Sequence, residues 1–499
     1  MKYFNSIKEK LSTLLPMWLL ILLVAIWSVV IQDGQINRDG LLYLKQAYLI
    51  GEGNWKDGLA LYPWPFFSIL IAVFHKLTNF HLQVVAHGVD LALFGVAALF
   101  YLKTLQIIYK KEKQILFYGG IILLSFIPIM DDYVGMVLRD HGLWAGCMMG
   151  TYFYIKYLSQ KNYINNCLWQ LSFVFAGLFR PEAFVFMILI PLFNVIINRS
   201  FDFKAQNIQK LLKEYSVVLI YIIATVANKI LSNANDLSSE QQSRLSEFFP
   251  RLISFFEQVS SPLPLTTNHP YLNDLLVNYP ITITFGVLLT LLVVKWLKGL
   301  GILVTGLVIY SFNKAYQNKL DREIKLSLYF FIAISFLLVG FNLFNVYVLS
   351  NRYWGFHWFW VFILVSPVLI SLFKLKKTKL TNALKVLVLI YIAISIMNVA
   401  VDSNKNTIEI DAGEYLKNMG LESNQSIKLI NAERVGYYGS MSLQDLMNAI
   451  KPELQNTQLI ILNGKEDEVA KILTIGYQLE KSFTKSQHGI YILKRVTRD

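Results

Sequence analysis

Asn37-Arg38-Asp39-Gly40-Leu41-Leu42-Tyr43 follows the first apolar run of the chain, residues 14–32, and that order decides what kind of fold to expect. About twenty apolar residues are enough to cross a bilayer, so the charged stretch behind them lies against a membrane surface. An acidic residue there is where an integral-membrane enzyme would keep a catalytic base. Read locally, the same aspartate entering a helical run is an N-cap. Both readings stay open for Asp39.

The composition supports the membrane reading. Of 499 residues, 55% are hydrophobic, 14% aromatic and only 16% charged, values far from a soluble domain and close to a multi-pass membrane protein. Cys147 and Cys167 are the two cysteines, both inside apolar segments, so no disulfide framework or cysteine metal site is implied. Lys2, Lys8 and Lys10 precede the first run, but no small-residue cleavage site follows it, so it reads as a retained helix rather than a signal peptide.

Further apolar segments lie at 83–108, 114–130, 142–158, 167–179, 182–197, 214–231, 299–313, 326–345, 355–373 and 381–400. Counted with 14–32 they predict about eleven spans. Four basic clusters then fall on the side of the N-terminal lysines: Lys110, Lys111 and Lys113; Arg199, Lys204, Lys210 and Lys213; Lys314, Lys319, Arg322 and Lys325; Lys374, Lys376, Lys377 and Lys379. Positive loops stay cytoplasmic, which places the N-terminus inside and everything after Val401 outside. The net charge of +13 is thereby read largely as a topology signal, and nucleic-acid binding is not needed to explain it. The count requires that 62–77 and 281–298 do not cross; each is expected to be an interfacial or re-entrant helix.

Two domains are expected: a transmembrane domain over 1–400 and an extracytoplasmic α/β domain over 401–499. In the latter, 407–410, 427–430, 458–462 and 489–493 read as strands, and 412–419 and 442–450 as helices. A mixed sheet follows from that alternation. The tail has no Gly-rich phosphate loop, His cluster or nucleophile elbow, so binding or positioning is expected of it rather than chemistry.

Charged residues beside a bilayer are costly unless they face water or one another, and they gather in a few external loops. The first loop holds Asp33, Arg38, Asp39, Glu52 and Asp57; the second holds Asp131, Asp132, Arg139, Asp140 and His141. Positive charge comes from Arg180-Pro181-Glu182, from Lys295 and Lys298, and from Asn351-Arg352-Tyr353. Acids facing cations at a membrane suit transfer from a polyprenyl-phosphate-linked sugar: the leaving phosphate needs cations, and the acceptor needs a base. Structural readings stand beside these. Asp140 pairs with Arg139 or His141, Arg180 marks a helix break before Pro181, and Arg352 anchors an interface. The aromatic run 353–360 is expected to form a membrane-interface belt, and Tyr437-Tyr438 to pack in the tail.

The order of one span, then Arg38-Asp39-Gly40-Leu41-Leu42-Tyr43-Leu44, then Gly51-Glu52-Gly53-Asn54-Trp55 and Leu61-Tyr62-Pro63-Trp64-Pro65-Phe66-Phe67, resembles the first loop of GT-C superfamily glycosyltransferases. It is similar in particular to bacterial members related to the protein O-mannosyltransferases and the lipid A aminoarabinose transferases. Leu178-Phe179-Arg180-Pro181-Glu182, Asn351-Arg352-Tyr353 and the α/β tail extend the resemblance over most of the chain. It implies a mainly α, polytopic membrane bundle of GT-C type with a small C-terminal α/β domain, in the cytoplasmic membrane. It also implies Asp39 as catalytic base or metal holder and Asp140 as an assisting acid. Arg352, Arg180 and Lys298 are the candidates for the donor phosphate, with Arg38, His141, Glu182 and Tyr353 assisting. A divalent metal, with Asp39 and His141 as ligand candidates, is left open. The expected partners are a polyprenyl-phosphate-linked sugar donor, an unspecified glycan, lipid or protein acceptor, and membrane lipids. Two departures matter: Asp39 is followed by Gly40 where many protein O-mannosyltransferases have Asp-Glu, and no Trp-Trp-Asp occurs. The alternative class is a transporter or flippase of a lipid-linked sugar.

Overall fold

The structure, a computed structural model, describes residues 2–32, 35–130, 133–197, 215–216, 279–311, 320–346, 349–374, 379–400, 407–419, 426–449, 457–485 and 488–496. The expected span at 214–231, the acids Asp33, Asp131 and Asp132, and the basic residues Arg199, Lys204, Lys210, Lys213, Lys314, Lys319, Lys376 and Lys377 lie outside them, Tyr215 and Ser216 excepted. Two compact units emerge. The first comprises 1–31 and 88–401, the second 32–87 and 402–499.

The first unit is helical: α1 (Lys2–Ile31), most of α5 (Leu82–Ile108), α6 (Ile115–Leu124), α7 (Ile127–Met130), α8 (Asp140–Gln160), α9 (Tyr163–Phe179), α10 (Ala183–Ile197), α11 (Pro280–Ser311), α12 (Arg322–Val346), a 3-10 turn Asn351–Trp354, α13 (Gly355–Lys374) and α14 (Lys379–Ala400). Among the described residues, five helices are long and apolar enough to cross a membrane: Thr13–Ile31, Leu82–Ile108, Thr282–Gly301, Arg322–Phe344 and Asn351–Lys374. The protein is a multi-pass membrane protein. Several expected spans are broken or short. The run at 114–130 divides into α6 and α7, where Pro128 has no N–H to continue the ladder. The segments 281–298 and 299–313 form one helical run, interrupted at Gly301, whose φ of 68° and ψ of 170° are open only to glycine without strain. Its first part thus has the length and apolarity of a span, where an interfacial helix was expected.

The α8–α9 pair is built on a glycine spacing. Gly142, Gly146 and Gly150 recur every fourth residue on α8, and a Cβ at each would lie 2.3, 2.5 and 2.7 Å from Phe179, Ala176 and Phe173 of α9. Removing those methyls lets the two antiparallel helices approach as membrane helices with small residues do. Their tight seam brings the first residue of α8 level with the last residue of α9. The aromatic run 353–360 departs from the expected interface belt: Trp354, Phe356, His357, Trp358, Phe359 and Trp360 are buried in the bundle. A helix apolar all round packs inside. His357 fixes it there, accepting from Trp296 Nε1 at Nε2 (2.8 Å) and meeting Ser335 Oγ at Nδ1 (2.7 Å).

In the second unit, α2 (Arg38–Gly51), α3 (Trp55–Leu61) and α4 (Phe66–Thr78) come from the first loop. At 13 residues α4 is about 20 Å long, too short for a hydrocarbon core of about 30 Å, as an interfacial helix over 62–77 would be. The tail contributes α15 (Thr407–Asn418), β1 (Ile427–Ile430), α16 (Glu433–Tyr438), α17 (Leu443–Asn448), β2 (Leu459–Gly464), α18 (Glu466–Leu473), β3 (Tyr477–Lys485) and β4 (His488–Arg495). The sheet runs β1-β2-β4-β3, parallel between β1 and β2 and antiparallel elsewhere. Ile460, Leu462, Val469, Ile472, Tyr477, Tyr491 and Leu493 form its core. The expected strand at 407–410 is the start of α15, because Glu409, Ala412, Gly413 and Leu416 are buried at helical spacing.

Gly146→Ala should force α8 and α9 apart and cost about 1–3 kcal/mol, read as a lower thermal midpoint of the detergent-solubilised protein. Gly88→Ala, with nothing within 4 Å of the new methyl, should not lower it.

Candidate functional site

The α8–α9 seam places opposite charges at opposite helix ends. Asp140 opens α8 and Arg180 follows α9 directly, each at the terminus whose dipole favours its sign. Arg180 Nη1 donates to Asp140 Oδ1 at 2.5 Å. Its Nη2 and Nε donate to the two oxygens of Glu182 at 2.7 and 3.4 Å, a forked contact of the kind guanidinium favours. Pro181 sets the geometry: it pushes Arg180 out of the helical region, to φ −148° and ψ 126°, so the chain turns back and Glu182 faces the side chain two residues before it. The expected helix break at Arg180 is thus also what pairs it with Glu182.

Tyr353 closes the group. The Arg180 guanidinium lies 4.8 Å and that of Arg352 5.2 Å from the centre of its ring, both within cation–π range. Arg352 Nη2 also reaches the Tyr353 hydroxyl at 3.5 Å. Arg139, next to Asp140, donates from Nη1 to the Phe179 carbonyl at 3.3 Å, capping the end of α9. Asp140 and Arg180 are 2% and 8% exposed. Burial opposes the charge on Asp140, but Arg180, Arg352 and Arg139 outweigh it and hold the carboxyl below its ordinary range. Glu182 is held low in the same way, chiefly by Arg180, and Arg180 is raised by Glu182 and Asp140. Three guanidiniums, of Arg139, Arg180 and Arg352, thus act on Asp140.

His141 was a candidate partner of Asp140 and a metal candidate. It turns instead to a residue the sequence reading missed: its Nδ1 stands 2.8 Å from Asp90 Oδ1 on α5. The other oxygen of Asp90 accepts the backbone N–H of Leu138 at 3.1 Å. One buried carboxylate thus holds both flanks of Arg139-Asp140. A lone acid inside an apolar run was the available signal, since intramembrane carboxylates need a partner. No group of three or more His, Cys, Asp or Glu gathers as a metal site among the described residues.

Lys298 is exposed on α11 near the break at Gly301. Asp39 and Arg38 belong to the second unit. Arg38 is the exposed first residue of α2 and Asp39, half-buried, the second; the N-cap is Asn37, so the N-cap reading of Asp39 is replaced by a first-turn position. A carboxylate there still gains from the helix dipole. Back in the first unit, a cavity of about 480 Å³ runs between α10, α11 and α12, lined by apolar residues including Val185, Leu189, Leu292, Phe341 and Phe344. Val185 lies one helical turn past Glu182.

No protein-family model and no curated protein matches the chain. Solved structures similar to it include the apo crystal structure of ArnT from Cupriavidus metallidurans, at 12% identity over 95% of this chain and 97% of that one, with a TM-score of 0.44. Another is the archaeal oligosaccharyltransferase AglB from Archaeoglobus fulgidus, in complex with an inhibitory peptide and a dolichol-phosphate, at 10% identity over 96% of this chain and 74% of that one, with a TM-score of 0.48.

Two tests address the cluster. A double-mutant cycle on Asp140→Asn and Arg180→Gln should show a coupling of about 1–3 kcal/mol in thermal stability, because either single change leaves a buried charge short of its partner. The lowered carboxyl values of Asp140 and Glu182 set the pH response. Their stabilisation is complete above the ordinary carboxylate range of about 4 and is lost as pH falls through the lower folded values. The thermal midpoint of the wild type should fall there more steeply than that of the double variant.

Proposed function

We propose that the chain is a membrane glycosyltransferase of GT-C type that moves a sugar from a polyprenyl-phosphate-linked donor to an acceptor at the external face of the cytoplasmic membrane. The observation that carries this is the convergence of the guanidiniums of Arg139, Arg180 and Arg352 around Asp140, Glu182 and Tyr353, in the same unit as an apolar cavity lined by Val185. A lipid phosphate has the matching halves. Its headgroup suits guanidiniums already held in place, and a cavity of this size and lining suits part of its chain.

In this reading Arg352 and Arg180 stabilise the charge that grows on the phosphate as its bond to the sugar breaks. Asp140 and Glu182 keep Arg180 in position while it does so, and Tyr353 orders both guanidiniums; Lys298 is an accessory cation. Asp39, in the first turn of α2 beside Arg38, takes the acceptor proton as the new bond to the anomeric carbon forms. A single displacement inverts that carbon. The transmembrane domain, residues 1–400 with the first loop and its Asp39, carries the chemistry, and the N-terminus is cytoplasmic with the tail outside.

Mass-spectrometric assay of transfer from a panel of polyprenyl-phosphate sugars tests the proposal. The wild type should release polyprenyl phosphate stoichiometrically with glycosylated acceptor, and Asp39→Asn should lower kcat by about 10²–10⁴-fold while inserting and folding normally. Arg352→Ala should weaken transfer about 10–100-fold, the loss of one charge-assisted contact of about 1.5–3 kcal/mol. Full activity in Asp39→Asn would overturn the assignment of the base. Movement of intact donor across the bilayer without release of polyprenyl phosphate would favour the transporter class.

A further inference from the structure

The tail was expected to bind or position, and its paired tyrosines to pack. Within the second unit they instead grip the first loop. The Tyr438 hydroxyl accepts the backbone N–H of Ile36 at 2.9 Å and donates to the Ile36 carbonyl at 3.3 Å. Ile36 is itself buried, so its two main-chain groups would be orphaned without that phenol. Tyr437 donates to Gln83 Oε1 at 2.7 Å, where the first-loop segment ends in α5. Lys45, buried on α2, pairs with Glu433 at the start of α16; a buried ammonium costs several kcal/mol unless so compensated.

These contacts are tied back to the sheet. Arg434 pairs with the buried Glu409 of α15 at 2.7 Å, and Glu409 accepts from Asn463 Nδ2 on β2 at 3.3 Å. Polar contacts thus anchor α16 to β2 through Glu409, and α16 in turn carries Glu433 and Tyr438 to Lys45 and Ile36, which bracket Asn37-Arg38-Asp39. Both ends of the turn that carries Asp39 are held from a domain more than three hundred residues further along the chain.

We propose that the C-terminal domain is a positioning device for the Asp39 turn, with Tyr438 and Glu433 as its positioning residues. This rests on the reading of Asp39 as base. It gives the tail a task without chemistry of its own: a carboxylate that must meet a proton within hydrogen-bond reach loses rate when its backbone drifts by about 1 Å.

The test uses the full-length protein in lipid vesicles, with Cys147→Ala and Cys167→Ala, and Asn37→Cys as a reporter. Labelling by a membrane-impermeant maleimide should be at least about threefold faster when Tyr438→Phe or Glu433→Gln is added. Labelling at Lys471→Cys should be unchanged, showing that the domain stays folded. In the same variants, without the reporter, kcat should fall about tenfold, or about 1.4 kcal/mol, with the KM for donor within about twofold. Exchanging the pair, Lys45→Glu with Glu433→Lys, should recover more kcat than either single change retains. Unchanged labelling at Asn37→Cys overturns the device, and faster labelling with unchanged kcat overturns its bearing on transfer. The labelling arm reads the turn itself, so it stands apart from the Asp39→Asn result that tests the base.

Discussion

Burying the Arg180 guanidinium is the constraint around which the first unit is arranged. An uncompensated charge in a membrane bundle costs several kcal/mol, and here compensation comes from three chain segments at once. Asp140 at the start of α8, Glu182 just past Pro181, and the face of Tyr353 before α13 each meet it. Those segments converge only if α8 and α9 lie close, which the glycines at 142, 146 and 150 allow. Removing one piece strands the others. The same group gathers three guanidiniums in the unit that holds an apolar cavity, and this links the packing to the proposed chemistry.

Much of the site could be read from the sequence because charge in an apolar chain is conspicuous. Asp140, Arg180, Glu182, Arg352 and Tyr353, separate in sequence, fall into one cluster. Asp90 escaped notice because it stands inside a long apolar run and its partners, Leu138 and His141, are about fifty residues away. No local pattern encodes such a pairing. Lys298, as conspicuous as the arginines, is exposed on α11.

The fold was legible where periodicity is unambiguous and obscure where two periods compete. Strands β1, β2 and β4 follow short apolar runs, whereas β3 carries polar residues on a sheet edge and a bulge near Lys481, and gives little signal. Thr407-Ile408-Glu409-Ile410 alternates like a strand, but the buried positions that follow it have helical spacing and win. The aromatic run before and within α13 has the composition of an interface belt; neighbours on α11 and α12 bury it, a tertiary effect that composition does not record. Likewise Tyr437-Tyr438 reads as packing, and its hydroxyls serve the first loop.

The central claim is that the arginine cluster holds a lipid phosphate, and binding tests it without assuming any sugar or acceptor. Native mass spectrometry of the protein in lipid nanodiscs, offered a polyprenyl phosphate and the matching uncharged polyprenol, separates headgroup from chain. The wild type should retain the phosphate well above the alcohol, and Arg352→Ala should lose most of that preference while still holding the chain. Equal retention of phosphate and alcohol by the wild type, or an undiminished preference in Arg352→Ala, would contradict the claim.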